Sequence, residues 1–379
     1  HLGFVLDILR GYPDLIPEQL PYPSSHLLSA TVIEILNIEP KRALSWIIVV
    51  YVALYILVLP LTIRELFGGR KYYLIGVITS VALLPINNFG IHLLMQPGSL
   101  AAFAAPLCIY SFILFIKKPE YRLELISILV YSNLIILHPR QAINIFIISA
   151  FIIFYIKTPL SSNHYRKYIS LSKATVFLIG LSVIHLSWSM YTRAFVFELA
   201  QSTVALFQSG TAGTQMIGSA SESLNAYGSS ILELFLRLFL ADLLYVILSG
   251  LIILISIGKV IMDHYHKTPV DIHTKVRRGI IFSIFPVSIF FIIYFVASPG
   301  EYFRIQGMIM VLLSIIGSGF LGIVFNSTEQ SSVSNFIVPI ILLIVVLSSL
   351  PIMYHSPYIY RGSTQITETT FEGHRFTFD

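Results

Sequence analysis

Residues 43–63, ALSWIIVVYVALYILVLPLTI, run without a single Asp, Glu, Lys, Arg or His. A helix needs roughly 17 to 25 mostly apolar residues to cross a hydrocarbon core of about 30 Å. Only helices and closed barrels satisfy their backbone groups in that solvent. The block is continuous rather than alternating, which selects a helix over a barrel strand. Similar blocks recur to the end of the chain, and only 11% of residues are charged, against about 25% in ordinary soluble domains. With 56% hydrophobic residues and a mean hydropathy of +0.81, the expected fold class is all-α, a polytopic transmembrane helix bundle. About ten spans are expected, at 44–63, 73–88, 99–116, 123–137, 141–156, 174–190, 231–257, 279–298, 304–325 and 336–353; several are short, and 123–156 also reads as one broken hairpin.

A sequence pI near 9.1 raises the question of nucleic acid, and the distribution of the charge answers it. Alternate connections collect Arg64, Arg70, Lys71; Lys117, Lys118, Arg122; Lys157, Arg166, Lys167, Lys173; and Lys259, Lys267, Lys275, Arg277, Arg278. These are fifteen of the 24 Lys and Arg, with eight on the other side and Arg237 inside a span. The positive-inside rule makes those connections cytoplasmic. No nucleic-acid partner is expected, and residues 1–43, 191–230, "SPGEYFR" and the C-terminal tail face outside. The first residue is His rather than Met, so the expectation is one further span upstream of an external opening.

Three parts follow: an external first loop (1–43), a transmembrane domain (44–353) and the start of an external C-terminal portion (354–379), where Thr, Tyr and Phe alternate. In the first loop Pro13, Pro17, Pro21 and Pro23 forbid one continuous helix. Residues 2–9 and the apolar run SSHLLSATVIEILNI, with Ser24 or Ser25 as N-cap, are each too short to span. Both are expected to lie at the external interface or re-enter it. The 191–230 stretch, rich in Gly, Ser, Thr and Ala, reads as a long external loop. The single Cys108 permits no internal disulfide, and no repeat or cleavable leader is evident.

Ionisable and amide groups at membrane depth mark a site or a buried pair. Asn87, Asn88, His92 and Gln96 line a polar hairpin or serve a plain turn. In HPRQA, His138 and Arg140 stand beside a proline at the external end of the 123–156 hairpin. The guanidinium fork suits phosphate, and the alternative is an interfacial turn with a snorkelling Arg. Glu233 and Arg237 are spaced to pair along one helix face, with Asp242 below them. Arg304 beside Glu301 sits at the mouth of a span, where Arg140, Arg193 and Arg304 would ring one external cavity. The HYH (264–266) and DIH (271–273) runs read as solvated turns, and no metal signature, nucleophile elbow or nucleotide loop stands out.

The order of these elements resembles the GT-C superfamily of polyprenyl-phosphate-dependent glycosyltransferases, most closely its prokaryotic and archaeal multi-pass members. The resemblance rests on His1-Leu2, on Tyr22-Pro23-Ser24-Ser25-His26, on His138-Pro139-Arg140-Gln141-Ala142 and on Thr367 to Gly373, spread over nearly the whole chain. It implies transfer of a sugar from a polyprenyl-phosphate donor to a glycan or protein acceptor at the external face of the cell membrane. It also implies a carboxylate in the first external loop as general base and basic residues on the lipid phosphate. Asp7 is the nearest carboxylate to the chain start, with Asp14 behind it and the usual position expected upstream. His26 joins Asp7 as a catalytic candidate. Arg10, Tyr22, His138, Arg140 and Arg304 are the candidates for the lipid phosphate. No cofactor is assigned, and a divalent metal is left open. A transporter or flippase for a lipid-linked sugar is the first alternative and a glycan polymerase or ligase the second. Inverted repeats mark many transporters, and a polymerase would place paired Arg and His in the long external loop.

Overall fold

The computed structural model describes residues 2–11, 23–83, 97–158, 171–192, 204, 222, 230–297, 302–327 and 332–353. Among these residues the chain forms twelve helices and no strand. They are α1 (Leu2–Leu9), α2 (Pro23–Leu36), α3 (Pro40–Phe67), α4 (Arg70–Ala82), α5 (Pro97–Lys117) and α6 (Tyr121–Leu137). After them come α7 (Pro139–Lys157), α8 (Leu171–Thr192), α9 (Ile231–His266), α10 (Ile272–Ala297), α11 (Tyr302–Ser327) and α12 (Ser332–Met353).

Among the described residues seven helices, α3, α5, α7, α8, α9, α10 and α11, are long and apolar enough to cross a bilayer. The expectation of ten also counts α4, α6 and α12 as spans. α4 has 13 described helical residues, about 20 Å of rise, α6 has 17, and α12 has 22, of which Phe336–Ser349 form an apolar segment. The 123–156 hairpin is broken at His138, between α6 and α7. The expected long basic connection at 258–278 is mostly helix. α9 continues to His266 and α10 begins at Ile272, so only residues 267–271 turn the chain. Lys267 makes that turn in the left-handed region, at φ 52°.

The bundle is built around α5 and α11, whose spanning windows are 78% and 72% buried, while α8 and α9 lie outermost at 28% and 33%. α11 accepts rings from three neighbours. A Cβ at Gly317, Gly319 or Gly322 would overlap the ring of Tyr245, Phe67 or Tyr72 respectively, and Phe67 and Tyr72 stack on each other at 5.6 Å. Small residues allow this approach where no hydrophobic effect drives helix association. Thr79 Oγ1 lies 2.5 Å from the Tyr245 hydroxyl and 2.9 Å from Ser318 Oγ, joining α4, α9 and α11 through hydroxyl groups. Pro60 removes the backbone donor that the Ile56 carbonyl would use, and Ser80 Oγ donates to that carbonyl at 3.5 Å. Gly76 brings the α4 backbone against Pro60, within 2.9 Å of a would-be Cβ.

Contacts between helices define two ends of the bundle. Tyr55 donates to the Leu83 carbonyl at 2.9 Å, which sets α4 antiparallel to α3 together with the Phe67–Tyr72 pair. Lys117 meets Glu65, so α3 and α5 run in the same direction. Lys71 lies 4.7 Å above the Phe325 ring, and Arg278 meets Asp263. One end therefore gathers Arg64, Arg70, Lys71, Lys117, Asp263 and Arg278. The other carries Leu83, Pro97 and the α6–α7 junction. Around the outside, Trp46, Val50, Leu57, Val183 and Leu254 are 57–66% exposed; such a belt is suited to lipid.

Candidate functional site

The α6–α7 junction is built by two residues. His138 has extended backbone dihedrals, φ −161° and ψ 95°, and is at once the C-cap of α6 and the N-cap of α7. Its Nδ1 accepts a hydrogen bond from the Gln141 amide at 3.3 Å, in the manner of an N-cap oxygen. Pro139 follows at the first helical position, where its missing N–H costs nothing. With Nδ1 accepting, the neutral ring carries its proton on Nε2. That edge faces the first turn of α5, where a Cβ on Gly98 would sit 3.4 Å from Nε2. A side chain at position 98 would press on the imidazole.

The first turn of α7 is polar and withdrawn from water. His138 is 2%, Arg140 3%, Gln141 1% and Asn144 0% exposed. Asn144 Nδ2 donates to Gln141 Oε1 at 3.2 Å. A guanidinium, an imidazole and two amides thus enter the bundle within seven residues of sequence, at the end opposite the basic one. Amides and hydroxyls bury readily when bonded; an arginine at membrane depth is costly and is kept for a site or a pair.

α2 adds a second polar face. Its buried residues are Ser25, His26, Ser29 and Ala30, while Leu27, Ile35 and Leu36 are 51%, 74% and 60% exposed. A helix in a soluble protein turns the other way, apolar side inward. Ser25 Oγ lies 3.3 Å from His26 Nδ1, and Ser29 donates to the Ser25 carbonyl at 2.7 Å. α2 packs on α1, α3 and α6, so His26 sits on a helix that touches the one ending at His138.

The structure treats the other candidates differently. Asp7 is half-buried on α1, about 200° round the helix from the fully buried Val5. Arg10 is exposed just past the helix end. α1 meets α2 and α3, one helix away from the α6–α7 junction. Arg304 lies within α11, and its side chain is outside the described residues. Tyr22, Asp14, Asn87, Asn88, His92, Gln96, Arg193, Glu301, Thr367 to Gly373 and the tail also fall outside them, as does the side chain of Arg237. Ser230 Oγ accepts from the Glu233 amide at 3.1 Å, a cap announced by the Ser-x-x-Glu spacing. His264 and His266 are exposed at the end of α9, and Asp271 accepts from the Thr274 amide at 2.6 Å. Among the described residues no three His, Cys, Asp or Glu side chains gather where they could hold a metal ion.

Asn144, Gly98 and the Ser25–Ser29 face were not singled out from sequence. The first had a signal in its spacing, since positions 140, 141 and 144 recur at i, i+1 and i+4 along one helix. Gly98 had none, because its partner is forty residues away.

No known protein family matches the sequence, and no curated protein does. Among solved structures, the chain is similar to the archaeal oligosaccharyltransferase AglB from Archaeoglobus fulgidus, determined in complex with an inhibitory peptide and a dolichol-phosphate. The superposition has a TM-score of 0.58 at 14% identity and covers 100% of this chain. This chain spans 55% of the length of that protein, and the likeness is one of fold.

Proposed function

We propose that this protein is a membrane glycosyltransferase that moves a sugar from a polyprenyl-phosphate-linked donor to a glycan or protein acceptor at the external face of the membrane. The observation that carries the reading is the buried His138–Arg140–Gln141–Asn144 turn, set at the end of the bundle away from the collected positive charge. The likeness of fold to an oligosaccharyltransferase bound to dolichol-phosphate supports it. In this reading the basic end is cytoplasmic and the α6–α7 junction external.

The chemistry follows from charge. The acceptor attacks the anomeric carbon, the bond from that carbon to the phosphate oxygen breaks, and the acceptor's proton passes to a carboxylate. Negative charge grows on the departing lipid phosphate, where a guanidinium fixed in advance stabilises it. Arg140 supplies that group, and His138, held by its cap, supplies an N–H. Arg10, Tyr22 and Arg304 complete the phosphate set, and Asp7, with His26 on the neighbouring helix, takes the proton.

Membranes containing the full chain, supplied with polyprenyl-phosphate sugars, test this. Arg140→Gln removes a charge-assisted hydrogen bond and is expected to raise KM for the donor by about 10- to 100-fold. Asp7→Asn is expected to lower kcat by about 10²–10⁴-fold, the usual contribution of a general base. Unchanged kcat in Asp7→Asn moves the base to another residue. Absence of transfer by the parent with mono- and diphosphate-linked donors alike overturns the enzyme and returns the chain to transport.

A further inference from the structure

The start of α4 is flanked by two cavities on the basic end, far from the α6–α7 junction. The first is an open groove of about 480 Å³ between α4, α12 and the end of α11, lined by Leu74, Ile78, Val338, Leu342, Leu343 and Val346 among others. Among its described lining residues the one charged group is Lys71, whose Nζ stands 4.7 Å above the Phe325 ring. Lys71, Leu74, Ile75 and Ile78 form an i, i+3, i+4, i+7 stripe, so the groove runs about 10 Å along α4 from its cationic mouth into the apolar zone. The second cavity, about 340 Å³, is lined by Arg64, Gly69, Arg70 and Tyr73. Arg70 lies on the flank of α4 about 40° round from Leu74, and Tyr73 about 60° further round.

Two cations here, Arg64 and Arg70, are placed differently from others at the same end. Lys117 is neutralised by Glu65 at 2.9 Å and Arg278 by Asp263 at 2.6 Å. Arg64 and Arg70 share one cavity with no carboxylate among its described lining residues, and both are exposed. Two like charges lining one cavity at a membrane boundary call for an anion. The apolar groove beside them calls for a hydrocarbon tail.

We propose that this groove and its cationic rim bind an anionic membrane lipid of the leaflet at the basic end, one tail lying between α4 and α12 and the phosphate held by Lys71, Arg70 and Arg64. Arginine meets phosphate through two parallel N–H donors, and lysine meets it as a point charge. Basic pockets between membrane helices on the cytoplasmic side are a known setting for anionic headgroups. A neutral lipid would fill the groove and leave the guanidiniums uncompensated, and free phosphate would do the reverse. The bound tail completes the contact between α4 and α12 and holds α12 against the bundle. The inference stands independently of the reaction proposed above.

The test uses the full chain reconstituted in vesicles of equal phosphatidylglycerol and phosphatidylcholine, extracted in mild detergent, with retained lipids counted by native mass spectrometry. The parent is expected to retain phosphatidylglycerol in preference to phosphatidylcholine. Substituting Arg64→Gln, Arg70→Gln and Lys71→Gln together should lower that preference by ~100-fold, at about fivefold for each cation near an anionic headgroup. Lys118→Gln with Arg122→Gln, exposed cations at the same end, should leave it intact. Leu343→Trp, at a groove residue 56% exposed, should lower retention with every cation present and with the melting temperature kept. Equal retention of the two lipids by the parent overturns the proposal. So does an equal loss in the Lys118/Arg122 variant, unchanged retention in Leu343→Trp, or displacement of phosphatidylglycerol by inorganic phosphate. Preferential displacement by polyprenyl phosphate over added phosphatidylglycerol would assign the groove to the donor lipid instead, and also overturns it.

Discussion

The two ends of the bundle handle polar groups in opposite ways. At the basic end, ions pair across helices near water: Lys117 with Glu65 joins α5 to α3, and Arg278 with Asp263 joins α10 to α9. Short connections, 118–120 and 267–271, close that end. At the other end polar side chains turn inward. His26, His138, Arg140, Gln141 and Asn144 are each 3% exposed or less, and all five lie in or next to the first turn of a helix. At the basic end a carboxylate that still reaches water offsets the burial of Lys117 and of Arg278 and staples helices together. Burial at the opposite end costs stability, which is why that end is the place to look for chemistry.

The sharpest way to break this comparison is all-or-none. Ser230 begins α9 at the polar-inward end, and Lys118 sits in the α5–α6 turn at the basic end; both are exposed. With cysteine placed at each in turn, an impermeant thiol reagent added to intact cells is expected to label position 230 and spare 118 until the cells are opened. Native Cys108, fully buried, stays silent. The reverse pattern exchanges the two faces and removes the external site.

A smaller effect weighs the paired end. Lys117 Nζ reaches Glu65 Oε1 at 2.9 Å and the Glu65 carbonyl at 2.5 Å, with the lysine side chain only 4% exposed. Lys117→Met keeps the stem and removes both bonds. A loss of about 1.5–3 kcal/mol is expected for hydrogen bonds to a charged group, read as a lower melting temperature in detergent. An unchanged melting temperature would show that the pair is ornamental and the basic end no more stapled than the other.

The smallest effect is a pH dependence at Asp271, which accepts from the Thr274 amide at the start of α10. Partial burial works against its charged form, but the two Thr274 hydrogen bonds, with His273 and Arg277 nearby, outweigh it and hold the carboxyl below its usual range. A depressed folded pKa contributes stability above the unfolded value, near about 3.9, and that stability is lost as pH falls through the folded value. Melting measured between about pH 5 and pH 2 is therefore expected to fall more steeply in the parent than in Asp271→Asn. Identical profiles would remove this cap from the account of the basic end.

Much of the bundle was legible before any coordinates. Blocks such as 43–63 declare their solvent, and the Lys and Arg of alternate connections sort the two ends, because charge is expensive in hydrocarbon and cheap at its edge. Pro139 after His138 marked the break between α6 and α7. The count of spans was less legible, since α4 and α6 are shorter than the bilayer is thick and composition does not separate a short span from a packed internal helix. The 258–278 connection was misread because Lys259, Lys275, Arg277 and Arg278 look like loop residues, yet they continue helices past the apolar zone, and Asp263 receives Arg278.

Sequence by itself determined that this chain is a helical membrane protein with its positive charge on one side and a polar turn at HPRQA. Tertiary structure alone decided which face of each helix turns inward. Lipid and protein interior are equally apolar, so the pattern of Leu and Ile along α2 does not say that Ser25, His26 and Ser29 are the buried side. Nor does the run Gly317, Gly319, Gly322 name the rings it receives from α9, α3 and α4. Those choices rest on contacts between residues far apart in the chain, and only the packed bundle brings them together.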